Sequence, residues 1–217
     1  MAKDLAVVLN NGSINSAVVT AMAAQKYRPI MIYADTSNDP VGRRRAAFEQ
    51  QVAHFKPYRE YVISLAYSTG MQDQTASALA DPRLGTPLGP QMLELLPMLA
   101  AAARFAVQHQ AAGIYLGSRI GPSADELAQL TEYFQIWNEL IQLPCGQTDL
   151  EFLIPLLELE PWQVIDVGFQ VGAPLERTWS CAEDTTEPCW ACRSCRAREA
   201  AFLQAAKQDP LRSVRKL

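Results

Sequence analysis

The chain has 217 residues, 49% of them hydrophobic and 19% charged, with a formal net charge of -4. That length suits one α/β domain, or one domain with a small appendage, and is ample to bury a core. The mildly acidic balance gives no general attraction to nucleic acid, and no stretch approaches the roughly 18 to 20 consecutive apolar residues that a membrane helix needs.

Leu5 to Leu9 is a continuous apolar run of strand length, bounded by Asp4 and by Asn10-Asn11-Gly12. A run without alternation marks a strand covered on both faces, as in a parallel sheet layered by helices. The opening Met-Ala-Lys-Asp and this short run read as strand and turn, not as an export signal, so a cytoplasmic globular protein is expected. The turn Asn11 to Ser16 leads into a helix of small residues, Ala17 to Ala24. Strand, polar glycine-containing turn and helix start form a place for an anion, with main-chain N–H groups and the hydroxyls of Ser13 and Ser16 directed at a phosphate. Many such turns bind nothing, so this pattern alone leaves both readings open.

Pro29 to Tyr33 is a second buried strand, ending near Asp35. Arg43-Arg44-Arg45 opens a helix that runs to about Phe55, and three arginines in a first turn oppose the helix dipole. A nearby anionic ligand explains them, and so does a solvated helix face. Tyr61 to Leu65 reads as a third strand. From Ala66 to Gly89 the chain is polar and turn-rich, as expected of a mobile lid. A long apolar helix follows over Met92 to Gln110, then a short strand, Ile114 to Leu116, with Gly117-Ser118-Arg119 at the end where α/β sheets place ligands. Asp125 to Leu143 is predicted helical, its stripe of Leu127, Leu130, Phe134, Trp137 and Ile141 being core packing or a subunit contact. Glu151 to Ile154 gives another strand, Trp162 to Val171 a helix stopped by Gly172 and Pro174, and Arg196 to Lys207 the last helix. Alternating strands and helices predict a doubly wound parallel sheet.

Four of the five cysteines crowd into one segment: Cys181, then Cys189, Cys192 and Cys195 in a Cys-x-x-Cys-x-x-Cys run. That spacing lets consecutive thiolates fold back onto one tetrahedral ion, and Cys181 closes the site from across a loop. The segment is read as a structural zinc knot that fixes residues 177–217 beside a main domain of residues 1–176. Two disulfides or four unrelated thiols are the alternatives, and disulfides need an oxidising compartment. Arg193, Arg196 and Arg198 beside the knot are too few, on an acidic chain, to track a nucleic-acid backbone. No direct nucleic-acid partner is expected. Trp179, next to Cys181, is a residue that could lie near a pocket.

Glu151-Phe-Leu-Ile-Pro155-Leu-Leu-Glu-Leu159, Val164 to Gly168, Val171-Gly-Ala-Pro174, Thr178-Trp-Ser-Cys181 and the three following cysteines resemble the C-terminal third of the 7-cyano-7-deazaguanine synthases. Those enzymes belong to the PP-loop ATP pyrophosphatase superfamily, whose fold is adenine nucleotide α-hydrolase-like and Rossmann-like. The resemblance implies a ligase that makes a nitrile from 7-carboxy-7-deazaguanine and ammonia, using ATP twice, in queuosine biosynthesis. It implies ATP, magnesium and structural zinc, a small-molecule 7-deazapurine carboxylate as substrate, and a homodimer. By position it places the nucleotide at Asn10, Asn11, Gly12, Ser13, Ile14, Asn15, Ser16 and Asp35, and assigns no catalytic residue.

The family signature Ser-Gly-Gly-x-Asp-Ser stands here as Asn11-Gly12-Ser13-Ile14-Asn15-Ser16. Asn15 lacks the charge with which an aspartate holds magnesium, and Ser13 adds a Cβ where glycine lets the backbone approach phosphate. The family's Pro-Gly-Arg-Asn element appears as Leu88-Gly89-Pro90-Gln91, without an arginine, and its Tyr-Pro-Asp-Cys-Arg stretch is replaced by Leu127 to Thr131. An enzyme built this way has Arg119 or the arginines at 43 to 45 as its cations for phosphate. The other reading is a paralogue of altered chemistry, serving as a binding or scaffold protein or adenylating another carboxylate.

Overall fold

The computed structural model describes residues 4–36, 42–65, 88–120, 124–146, 149–183 and 185–213. Five parallel strands, β1 (Leu5–Leu9), β2 (Arg28–Asp35), β3 (Arg59–Ser64), β4 (Ile114–Leu116) and β5 (Phe152–Leu153), form one sheet in the order β3-β2-β1-β4-β5. The helices are α1 (Ile14–Ala24), α2 (Arg43–Phe55), α3 (Gly89–Gln108), α4 (Ala124–Cys145), α5 (Pro161–Gln170), α6 (Arg193–Gln204) and the short α7 (Pro210–Ser213). The stretch expected to form a lid lies outside the described residues up to position 87.

Pleating sends successive side chains of β1 and β2 to opposite faces. Val7, Ile30 and Ile32 join one core with Leu99 and Ala102 of α3 and Leu130, Phe134, Trp137 and Ile141 of α4. Val8 packs on the other face with Val18 and Val19 of α1, Ile165 of α5 and Phe202 of α6, while Met31 and Tyr33 meet Phe48 of α2. Helices thus cover both faces, which is the doubly wound arrangement expected, and the stripe on α4 is core packing. The segment after residue 177 shares this core, because Ala201, Phe202 and Ala205 are buried against Val8 and Val18.

The structure moves several element ends. β3 begins at Arg59, two residues before the expected start, and its burial alternates, as on an edge strand whose outer face meets water. α1 begins at Ile14 rather than Ala17, because Ser13 is its N-cap and accepts from the N–H of Ser16. α6 begins at Arg193 rather than Arg196 for a similar reason: Cys192 caps it, with Sγ accepting from the N–H of Cys195.

Sheet order reverses between β1 and β4, and an open parallel sheet leaves a crevice beyond the carboxyl ends of its strands at that switch point. The turn after β1 and the turn after β4 meet there. Gly117 is obligatory at the contact, since a Cβ on it would lie 2.9 Å from the main-chain carbon of Asn15 and 3.0 Å from the nitrogen of Ser16.

Candidate functional site

The turn after β1 is stitched to itself by its own side chains. Asn10 Oδ1 accepts from the N–H of Gly12 (2.8 Å), and Asn11 Oδ1 accepts from the N–H of Ser13 (3.2 Å) and the hydroxyl of Ser16 (2.8 Å). The N–H of Asn11 donates back to Ser16 Oγ. Gly12 sits at φ +76°, and a Cβ there would lie 2.3 Å from the carbonyl oxygen of Arg44. Glycine is therefore required by conformation and by space.

Beneath the turn lies a buried polar network. The amide of Asn10 donates to Thr20 Oγ1 (3.0 Å) and to Gln51 Oε1 (2.8 Å), and the amide of Gln51 donates to the carbonyl of Arg177 (3.0 Å). Gln51 is fully buried in the middle of α2. No spacing rule marks a helical glutamine as a buried hub, and sequence reasoning missed it. The network joins the β1 turn, α1, α2 and the strap that runs from Leu175 to Ser180.

That strap closes the site from the other side. The N–H of Trp179 donates to the carbonyl of Gly12 over 2.9 Å. Arg198 of α6 holds the strap: its guanidinium donates to Thr178 Oγ1 (2.7 Å), to the carbonyl of Leu175 (3.0 Å) and to both carboxylate oxygens of Asp209 (2.6 and 2.8 Å). Arg198 is 4% exposed. The Asp209 carboxylate supplies the charge that lets this guanidinium be buried.

Turn, strap, α5 and α6 line an open cavity of about 300 Å³ that brings together Asn11, Ser13, Ile14 and Asn15 with Arg44, Arg119, Trp179 and Ser180. Of the nucleotide residues expected from the sequence, these first four line it. Asn10, Gly12 and Ser16 are buried supports beneath, and Asp35 ends β2 without lining the cavity. Asn15 donates its amide to the carbonyl of Gly117 (3.0 Å). Arg119 is fixed by Nη1, which donates to the carbonyls of Ile120 (3.2 Å) and Leu159 (3.3 Å). Ser180 was missed by sequence reasoning, although the Thr-Trp-Ser-Cys motif contains it.

Magnesium fits this donor set poorly. Among the described residues lining the cavity there is no aspartate or glutamate. Protein sites for magnesium use one or two carboxylates beside substrate phosphates.

The four cysteines converge elsewhere, at the start of α6. Their sulfurs all lie within 4.8 Å of one another, with Cys181 to Cys189 at 3.5 Å, Cys181 to Cys192 at 3.9 Å and Cys189 to Cys195 at 4.0 Å. Four thiolates around zinc at about 2.3 Å give tetrahedral edges of about 3.8 Å, whereas a disulfide is about 2.05 Å long. The group fits a metal ion and is not a pair of disulfides. N–H groups of Ala191 and Cys192 donate to Cys189 Sγ, and that of Cys195 to Cys192 Sγ. Main-chain donation from Ala182 and Cys195 holds the Cys192 thiol down to about 6, while burial pushes Cys195 up to about 12. A cation among the four sulfurs would favour the thiolate of each.

A parallel α/β protein with a polar crevice at its switch point and a closed four-cysteine site beside it is a defined class of scaffold. The model of the family described as "Queuosine biosynthesis protein QueC" matches residues 95–206, and the chain belongs to that family. A protein of Acidobacterium capsulatum named 7-cyano-7-deazaguanine synthase is 27% identical over 225 residues, spanning 96% of each chain. Proteins of the same name from Chloroherpeton thalassium and Nitratiruptor sp. are 26% and 27% identical, the first covering 95% of both chains, the second 95% of this chain and 97% of its own. The expected family is the one found, and its members are named as synthases. No described helix is long and apolar enough to cross a membrane.

Proposed function

We propose that the chain is an ATP-dependent 7-cyano-7-deazaguanine synthase whose nucleotide and 7-deazapurine carboxylate meet in the switch-point cavity. The supporting observation is the bond from Trp179 to Gly12, which brings the family's Thr-Trp-Ser-Cys element against the turn that stands for its phosphate loop.

In this reading a carboxylate oxygen of the substrate attacks the α-phosphorus of ATP and pyrophosphate leaves. Ammonia then adds to the acyl carbon, AMP departs and a proton is lost, giving the amide. The amide oxygen attacks the α-phosphorus of a second ATP and pyrophosphate leaves; loss of AMP and of both N–H protons from the resulting imidate then leaves the nitrile. Such steps ask a protein for positioning, charge stabilisation and exclusion of water. Arg44 and Arg119 stabilise the phosphate charge, Asn11, Ser13, Ile14 and Asn15 shape the floor, and Trp179 offers an apolar edge beside Ser180. Asn10, Gly12 and Ser16 hold the turn in shape, and Asp35 stands at the end of the neighbouring strand.

Any magnesium would arrive with ATP, because the described cavity lining supplies no carboxylate to hold it. Zinc would be held by Cys181, Cys189, Cys192 and Cys195, and these four residues would then fix the start of α6 and, through Arg198, the strap. Residues 177–217 then act as a zinc-organised clasp on the nucleotide-handling part at 1–176. The reading extends to a cytoplasmic homodimer, for which the exposed row Ile136, Leu140 and Leu143 on α4 offers an apolar face.

AMP release measured against 7-carboxy-7-deazaguanine concentration tests the assignment. Release that saturates with the carboxylate and requires ammonia for turnover is expected. Release indifferent to the carboxylate overturns the substrate assignment.

A further inference from the structure

We infer that Gln51 is a positioning residue: it locks the strap onto the turn after β1, and the cavity captures nucleotide only while that lock is closed. This rests on the proposed nucleotide site. Gln51 is fully buried, does not line the cavity, and acts on it through Asn10 and Gly12.

The sense of the buried network is forced from one end. Thr20 Oγ1 donates its one proton to the carbonyl of Ser16 over 2.6 Å, so toward Asn10 it acts only as an acceptor. Asn10 must therefore turn its amide nitrogen to Thr20 (3.0 Å), which leaves Oδ1 facing the N–H of Gly12 (2.8 Å). The second amide proton of Asn10 goes to Gln51 Oε1 (2.8 Å), so Gln51 turns its own nitrogen to the carbonyl of Arg177 (3.0 Å). Flipping either amide would set donor against donor.

The circuit closes on itself. Two residues beyond Arg177, the N–H of Trp179 donates to the carbonyl of Gly12, whose own N–H is the group that Asn10 holds. Asn10 is 2% exposed and Thr20 is fully buried, so solvent offers these groups no ready replacement. Arg177 also reaches the carbonyl of Gln50 (3.3 Å), but that bond is exposed and water can stand in for it. Arg198 ties the strap to α6, whereas Gln51 and the Trp179 bond tie it to α2 and the turn. Trp179 and Ser180 line the cavity from the strap, Asn11 and Ser13 from the turn, and the register between the two sets its shape.

A residue placed this way has a kinetic signature. Gln51 touches no reacting group in the proposed site, so a chain whose walls are in register turns over at the parental rate. Losing the lock lowers the fraction of chains in that state, and apparent affinity falls with the fraction. The KM for ATP rises while kcat is held.

The test is Gln51→Met, which keeps the side chain's length and removes both bonds, in the zinc-loaded chain. AMP release with saturating 7-carboxy-7-deazaguanine, ammonium and magnesium should show the ATP KM raised about tenfold and kcat, per folded chain, within about twofold of the parent. Amide exchange at Trp179 without ligand should quicken about tenfold while β2 stays protected. Thr20→Val, which removes the group that sets the sense of Asn10, should show both changes in smaller measure, and Thr20→Ser, which keeps the hydroxyl, should show neither. This pair decides the matter where Gln51→Met is not recovered folded. A folded Gln51→Met with the parent's KM overturns the inference, whatever its exchange rate, as does a loss carried by kcat alone. ATP calorimetry separates the two claims. A parent that binds ATP yet makes no nitrile, with binding weakened about tenfold in Gln51→Met, sinks the function and leaves the inference. A parent that makes nitrile, beside a variant of unchanged KM, does the reverse, and a parent that binds no ATP sinks both.

Discussion

The N–H of Trp179 donates to the carbonyl of Gly12 across 2.9 Å, and through that bond the cysteine-rich end of the chain reaches the turn after its first strand. The two residues are 167 positions apart. Their contact joins the four-cysteine site, Arg198 and the strap to one wall of the cavity.

Gly12 is the least replaceable residue of the turn. Gly12→Ala places a methyl 2.3 Å from a main-chain oxygen at a φ of +76°. A non-glycine residue held in such a backbone costs about 1–3 kcal/mol before any clash is counted. Thermal denaturation should show a loss of at least about 2 kcal/mol, and the turn must shift away from α2.

Gln51→Leu should destabilise the protein although leucine suits a helix interior. The change strands the Asn10 amide and the Arg177 carbonyl in a buried setting, at about 1–3 kcal/mol for each unsatisfied group. Urea denaturation reads the loss directly. A variant as stable as the parent would show that water replaces the glutamine.

Arg198 and Asp209 should behave as a buried pair. Removing one partner leaves an uncompensated charge and costs about 3–5 kcal/mol, whereas replacing both with apolar residues costs less than the worse single change. Arg198→Met, Asp209→Leu and the double variant form the cycle, and chemical denaturation gives the coupling. The pair's burial also predicts little response to added salt.

Metal removal should act at a distance. The chain is expected to carry one zinc ion, and Cys192→Ser or a strong chelator should release it. Hydrogen exchange should then quicken over residues 181–195 and in the strap at Thr178 to Ser180, while β1 and β2 remain protected. Exchange confined to the cysteine loop would show that Arg198 holds the strap without the metal.

The central strands were legible because Leu5 to Leu9 and Pro29 to Tyr33 are apolar without alternation, which a sheet covered on both faces demands. The four cysteines were legible because thiolate spacing is a local property. Helix starts were read three residues late at Ile14 and Arg193, since in each case the residue just before the helix supplies the cap. Gln51 and Arg198 were not legible as buried hubs. Their partners at Asn10, Arg177, Thr178 and Asp209 are set by tertiary packing, and no periodicity records a polar side chain whose partners lie on other elements. The family resemblance implied a nucleotide site at the turn and named its residues by motif position alone. The structure divides them into cavity wall and buried support.

The measurement closest to the central claim is mass spectrometry of the product formed when the zinc-loaded chain is supplied with 7-carboxy-7-deazaguanine, ammonium and ATP, with AMP counted in parallel. The account predicts the nitrile, with two AMP released for each one formed. Unconverted carboxylate, with no amide, no nitrile and no AMP, would contradict it.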